Sequence, residues 1–212
     1  MQHLARLRLI FRRNRLLMIV ISIAFLSILI VSGAVSYVML LTSPELVRRL
    51  QDVFASARGY IVIPPPPPYT VGLYSFIFLN NIGHFWDPAR VWVWLPFVGA
   101  YSLGYELLLN ALVIGGVASF TSFTRGAVYT FAGLTPHGII EIPAFILEFT
   151  ALARWHVTAT LAIYAKLSGR KVDRPLVVEG IRDTVVLSLL SVALFALAAY
   201  VEAFITPRFL GL

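Results

Sequence analysis

Residues 16–41 read LLMIVISIAFLSILIVSGAVSYVMLL, an apolar run with no charged side chain, and just before it lie Arg6, Arg8, Arg12, Arg13 and Arg15. A helix rises about 1.5 Å per residue, so this run is long enough to cross the roughly 30 Å hydrocarbon core of a bilayer with some tilt. It is much longer than the about 7–15 apolar residues of a secretory signal, and it reads as a retained anchor. Lipid offers backbone polar groups no partners and admits only helices and closed barrels; long unbroken apolar runs select helices.

The composition extends that reading to the whole chain. Hydrophobic residues make up 59% of 212 positions and charged residues 13%, with a mean hydropathy of +0.85, well outside the balance of a soluble domain. The expected architecture is an all-α, polytopic transmembrane bundle of about five spans, forming a single membrane domain over residues 1–212. The spans fall at about 16–41, 69–85, 91–120, 135–164 and 184–205. Pro96 marks a kink or entry point for the third, Thr135 and Pro136 open the fourth with a cap and a first-turn proline, and Pro207 stops the last.

Between the first two spans, residues 43–68 form an outer segment. Ser43-Pro44-Glu45 is a helix opening, with a cap, a first-turn proline and an acidic residue against the dipole. Over 44–59, Leu46, Leu50, Val53, Phe54 and Ala57 recur on one side and Arg48, Arg49, Asp52 and Ser56 on the other, the pattern of a helix lying on a membrane or on its own protein's loops. Residues 64–68 are all proline and form a stiff spacer. The rings of Phe85, Trp86, Trp92 and Trp94 suit a headgroup belt.

The basic residues set the orientation. With the amino terminus cytoplasmic and the carboxyl terminus outside, the basic leader 1–15, the Arg90 turn and the loop 166–182 all stay inside, as the positive-inside rule requires. The net charge of +7 flanks apolar runs, so the expected partner is a bilayer with anionic headgroups at its cytoplasmic face, with no role for nucleic acid. Cysteine is absent, which excludes disulfides and thiolate metal sites.

Ionisable residues at membrane depth are costly and face an interior or a wet cavity. Asn80 and Asn81 sit near the inner end of the second span. In the third, Glu106 and Asn110 share one helix face, while Ala100, Gly104, Ala111, Gly115 and Ser119 gather on the other and permit close helix packing. That arrangement places span three at the centre of the bundle. In the fourth, His137, Glu141 and Glu148 fall within about 40° of one another and form a polar stripe. The stripe is open to three readings: a structural hydrogen-bonded network, a proton or ion relay, or a metal or hydrolytic site. No HExxH, Gly-x-Ser-x-Gly or phosphate-cradling glycine loop is present, so no catalytic residue, metal ligand or cofactor is assigned. Arg154 and His156 are expected to snorkel toward the inner face, and Glu202 lies near the outer end of the last span.

Asn80-Asn81, the glycine-rich third span with Asn110, the run Gly133-Leu-Thr-Pro-His-Gly-Ile-Ile-Glu-Ile-Pro-Ala and the closing Glu202-Ala-Phe-Ile-Thr-Pro together resemble the stage II sporulation protein M family. The resemblance implies a five-span protein of the cell membrane with its amino terminus inside. In spore formers the family acts as a membrane scaffold that positions cell-wall-degrading partners, and it carries no catalytic role to His137 or Glu141. The expected function is therefore a non-enzymatic scaffold for other membrane or envelope proteins, with a homodimer as one form. The alternatives are a channel, transporter subunit or ion-coupled permease, and last an intramembrane metal-dependent hydrolase.

Overall fold

A computed structural model describes residues 2–50 and 65–211, and no strand occurs among them. The main elements are α1 (Gln2–Thr42), α2 (Val71–Asn81), α3 (Val98–Arg125), α4 (Ala127–Leu167) and α5 (Arg174–Tyr200), then a π-helical turn (Val201–Ile205) and α6 (Thr206–Phe209). Residues 44–50 are helical, as the Ser43-Pro44-Glu45 opening requires, and Leu46 N–H donates to Ser43 Oγ. The remainder of that amphipathic pattern, 51–59, and Pro64 lie outside the described residues. Among the described residues, four stretches are long and apolar enough to cross a membrane: Leu4–Thr42, Val98–Arg125, Ala127–Leu167 and Arg174–Phe209.

The expected second span is not one helix. α2 covers 11 residues, about 16 Å of rise, and two 3-10 turns follow, Gly83–Phe85 and Val91–Trp94. The path nevertheless runs between opposite ends of the bundle. α1 and α3 lie parallel, because Ser32 donates to the Ala111 carbonyl, Ser119 to the Gly33 carbonyl, and Tyr37 meets Phe123. The chain between them must therefore return. Tyr69 N–H starts that return on the Ala203 carbonyl, at the far end of the α5 rod, with a bond of 3.0 Å. At its close, the carbonyls of Val93 and Trp94 accept from His156 and Trp155, at 2.8 and 2.7 Å. Two residues further along α4, Thr158 packs on Gly180, near the start of α5. From Ala203 back to Gly180 is about 34 Å of helix, so 69–94 runs back along most of the length of the α5 rod as a broken segment.

The close helix contact sits between α1 and α3. A Cβ on Gly115 would lie 2.1 Å from Ser32 Oγ and 2.7 Å from the Leu29 carbonyl oxygen. Ala111, Gly115 and Ser119 are buried there, but Ala100 and Gly104 are exposed, and a Cβ on Gly104 would meet nothing within 4 Å. The reason is a change of partner. Toward its start α3 packs on the Val93 turn and on α4, which meet it through Gly99 and Leu103. Span three is likewise not central, since Tyr101, Leu112 and Val113 expose a broad apolar side. α4 takes the inner position, in contact with α1, α3, α5 and α6.

Several boundaries also move. Gly126, at φ 91°, separates α3 from α4, so α4 starts before Thr135 and carries Pro136 and Pro143 in its interior. α5 begins at Arg174, capped by Asp173, and takes Arg182 out of the expected loop. The arginine-rich leader is the first part of α1, and Arg13 and Asn14 dock on Asp183: Arg13 Nη2 donates to Oδ1 at 2.7 Å and Asn14 Nδ2 to Oδ2 at 3.0 Å. Arg154 does not snorkel, because its Nε lies 3.8 Å from the same carboxylate, which is fully buried. His156 is buried on the Val93 carbonyl instead of reaching for an interface.

Candidate intramembrane polar site

The broken segment leaves a cleft of about 1070 Å³ between α3 and α4, closed behind by Phe25 and Leu29 of α1. Irregular backbone at membrane depth survives only where protein covers it or water reaches it. Here the end of α2 and the turn after it carry Asn80, Asn81 and His84 into that cleft. Glu106 and Asn110 reach it from α3, and His137, Glu141 and Glu148 from α4.

The polar groups divide into two clusters. In the first, His84 is 5% exposed and bridges two helices. Its Nδ1 lies 3.0 Å from Oε1 of the buried Glu148, and its Nε2 is in contact with the Glu106 carboxylate. A carboxylate therefore faces each ring nitrogen, and a neutral imidazole has one N–H to offer the two of them. Trp94 Nε1 donates to the His84 carbonyl at 2.8 Å, and the Phe149 ring packs edge-on against the imidazole, fixing its position.

The second cluster lies toward the α6 end of α4. Asn81 Nδ2 donates to Glu141 Oε1 at 2.9 Å. His137 Nδ1 lies 3.4 Å from Thr206 Oγ1, and its Nε2 is 3.9 Å from Glu141 Oε2. The π turn brings Glu202 to the same place, so that ligand atoms of His137, Glu141 and Glu202 all fall within 4.8 Å of one another.

The stripe read on the fourth span is therefore present but split, with His137 and Glu141 in one cluster and Glu148 in the other. Asn80 joins neither. Its backbone carbonyl and side-chain oxygen accept from Arg90, at 2.8 and 3.2 Å. Asn110 lines the cleft while donating to its own helix at the Glu106 carbonyl. Of the residues that complete the site, His84 was not singled out in the sequence, and Glu202 was read only as lying near the outer end of the last span, apart from the polar stripe. Their signals were slight: His84 follows Asn80 and Asn81 by one helical turn, and Glu202 is a lone carboxylate in an apolar span.

Long apolar helices enclosing a polar, partly irregular interior define an α-helical integral membrane protein. More particularly, the chain belongs to the family described as stage II sporulation protein M, whose sequence profile matches residues 16–207. It is also similar to an uncharacterized protein of Methanocaldococcus jannaschii, 31% identical over 121 residues. That match covers 55% of this chain and 65% of the relative, less than two thirds of its length. No solved structure matches the chain.

Proposed function

We propose that the protein is a multi-pass, non-enzymatic protein of the cell membrane that handles protons or cations through its polar cleft, as a permease or transporter subunit. The observation that carries this is the His84 bridge. A broken segment inside the bundle delivers a buried imidazole between Glu106 of α3 and Glu148 of α4, while Asn81 of the same segment holds Glu141. Discontinuous helices meeting ionisable side chains at membrane depth are the construction that secondary transporters use for coupling-ion sites. In this reading the return segment makes a fifth crossing, with the amino terminus cytoplasmic and the carboxyl terminus outside.

The test is flux in sealed proteoliposomes carrying a pH-sensitive dye and a range of cations. Wild-type protein should dissipate an imposed gradient, and Glu148→Gln or His84→Gln should abolish that dissipation while the protein remains folded. A bilayer that stays tight to protons and cations with wild-type protein rules the reading out.

A second reading is a scaffold that organises other membrane or envelope proteins, alone or as a homodimer. What favours it is the helical stretch 44–50, which emerges from α1 with Arg48 and Arg49 exposed, together with family membership. Deletion of residues 46–57 should then abolish partner capture from membranes, and retained capture argues against it.

A further inference from the structure

The geometry points to a binding site for a divalent transition-metal cation, of the Zn²⁺ or Mn²⁺ class, formed by His137, Glu141 and Glu202. This deepens the cleft-based reading above by naming a cation and a place for it. The donor set is one imidazole nitrogen and two carboxylates, which suits borderline divalent ions. Their ligand atoms already lie within 4.8 Å of one another, and bonds of about 2.1 Å would require only a modest inward movement of the side chains.

Three further observations support a ligand here. Glu202 has no hydrogen bond or ion pair among the described residues, and no Arg or Lys there pairs with Glu141. Two carboxylates this close repel one another, and a cation held between them offsets that repulsion. The supporting contacts are those of a ligand shell: Asn81 holds Glu141 Oε1 and leaves Oε2 toward the site, while Thr206 lies on His137 Nδ1 and leaves Nε2 toward it. Finally, Glu202 lies in a π-helical turn, Val201–Ile205, at the end of an otherwise α-helical rod. Such single turns recur at functional sites because they redirect a side chain.

Purified full-length protein in detergent, stripped with a chelator and dialysed against Zn²⁺ or Mn²⁺ alone, should bind one equivalent. The affinity should fall by at least about tenfold in Glu202→Gln and in His137→Gln, and should not change in Glu179→Gln, whose carboxylate pairs with Arg13 well away from the site. X-ray absorption of the Zn²⁺-loaded wild type should show a nitrogen and oxygen shell containing one histidine, a readout that needs no variant to fold. Absence of stoichiometric binding, or binding equally tight in both site variants, overturns the inference. The flux assay is separate: flux without metal binding removes this site alone, and metal binding in a tight bilayer removes the transport reading alone.

Discussion

Gly115 and Gly104 belong to the same small-residue stripe, yet only one of them is held against another helix. At Gly115 a side chain would collide with Ser32 Oγ and the Leu29 backbone, and at Gly104 it would enter open space. Gly115→Leu should therefore cost about 1–3 kcal/mol through overpacking, while Gly104→Leu should stay within about 0.5 kcal/mol of wild type. Thermal unfolding of both in detergent decides it, and equal losses would show that α1 and α3 do not cross at Gly115. Asp183 gives the second prediction at this scale. It is fully buried, and Arg13, Asn14 and Arg154 surround it. Asp183→Ala leaves the mostly buried Arg154 without its carboxylate and should cost about 3 kcal/mol, the lower end for a broken buried pair, because Arg13 keeps Glu179 as a partner and 32% of its side chain exposed. A loss below about 0.5 kcal/mol, the level of an ordinary surface change, would show that the leader does not dock there. Neither partner is legible from the sequence, since residues 13 and 183 are far apart in the chain.

At the scale of elements, the broken return segment depends on contacts at its two ends. His156 Nε2 and Trp155 Nε1 hold consecutive carbonyls at its close. His156→Phe preserves a ring but removes the donor to the Val93 carbonyl, beside a Val93 side chain with no exposure. An unsatisfied buried acceptor costs about 1–3 kcal/mol, so the variant should unfold earlier and take up deuterium faster at residues 83–95 than at α5. Uniform acceleration over the whole protein would mean the bond is not specific to that segment. The long apolar helices were legible because each carries its own signal in hydropathy. The return segment was legible only as an apolar stretch: its turns depend on anchors in α4 and α5, and local propensity does not encode these. The same limit applies to α4, where Pro136 reads locally as a helix opening but lies, with Pro143, inside one continuous helix.

For the molecule as a whole, the parallel pairing of α1 with α3 and the antiparallel pairing of α4 with α5 define a topology that the absence of native cysteine makes directly testable. With the proposed orientation, Thr42→Cys should react with an impermeant maleimide on intact cells, and Ser168→Cys only after the membrane is opened. The reverse pattern would invert the protein, and labelling of both on intact cells would remove the crossing by α4. The polar interior also belongs to this scale. Glu202 reaches His137 and Glu141 only because α5 runs back along α4 and a π turn ends it.

By itself the sequence determined the helical membrane class, the long apolar helices and most of the costly polar residues, because hydropathy, charge and helical period are properties of neighbouring residues. Tertiary structure alone decided that the second apolar stretch breaks, that the polar stripe divides between His84 and Glu202, and that Ala100 and Gly104 of the small-residue stripe are left exposed. Those outcomes depend on which helices approach each other and at what height, and distant parts of the chain set that geometry together.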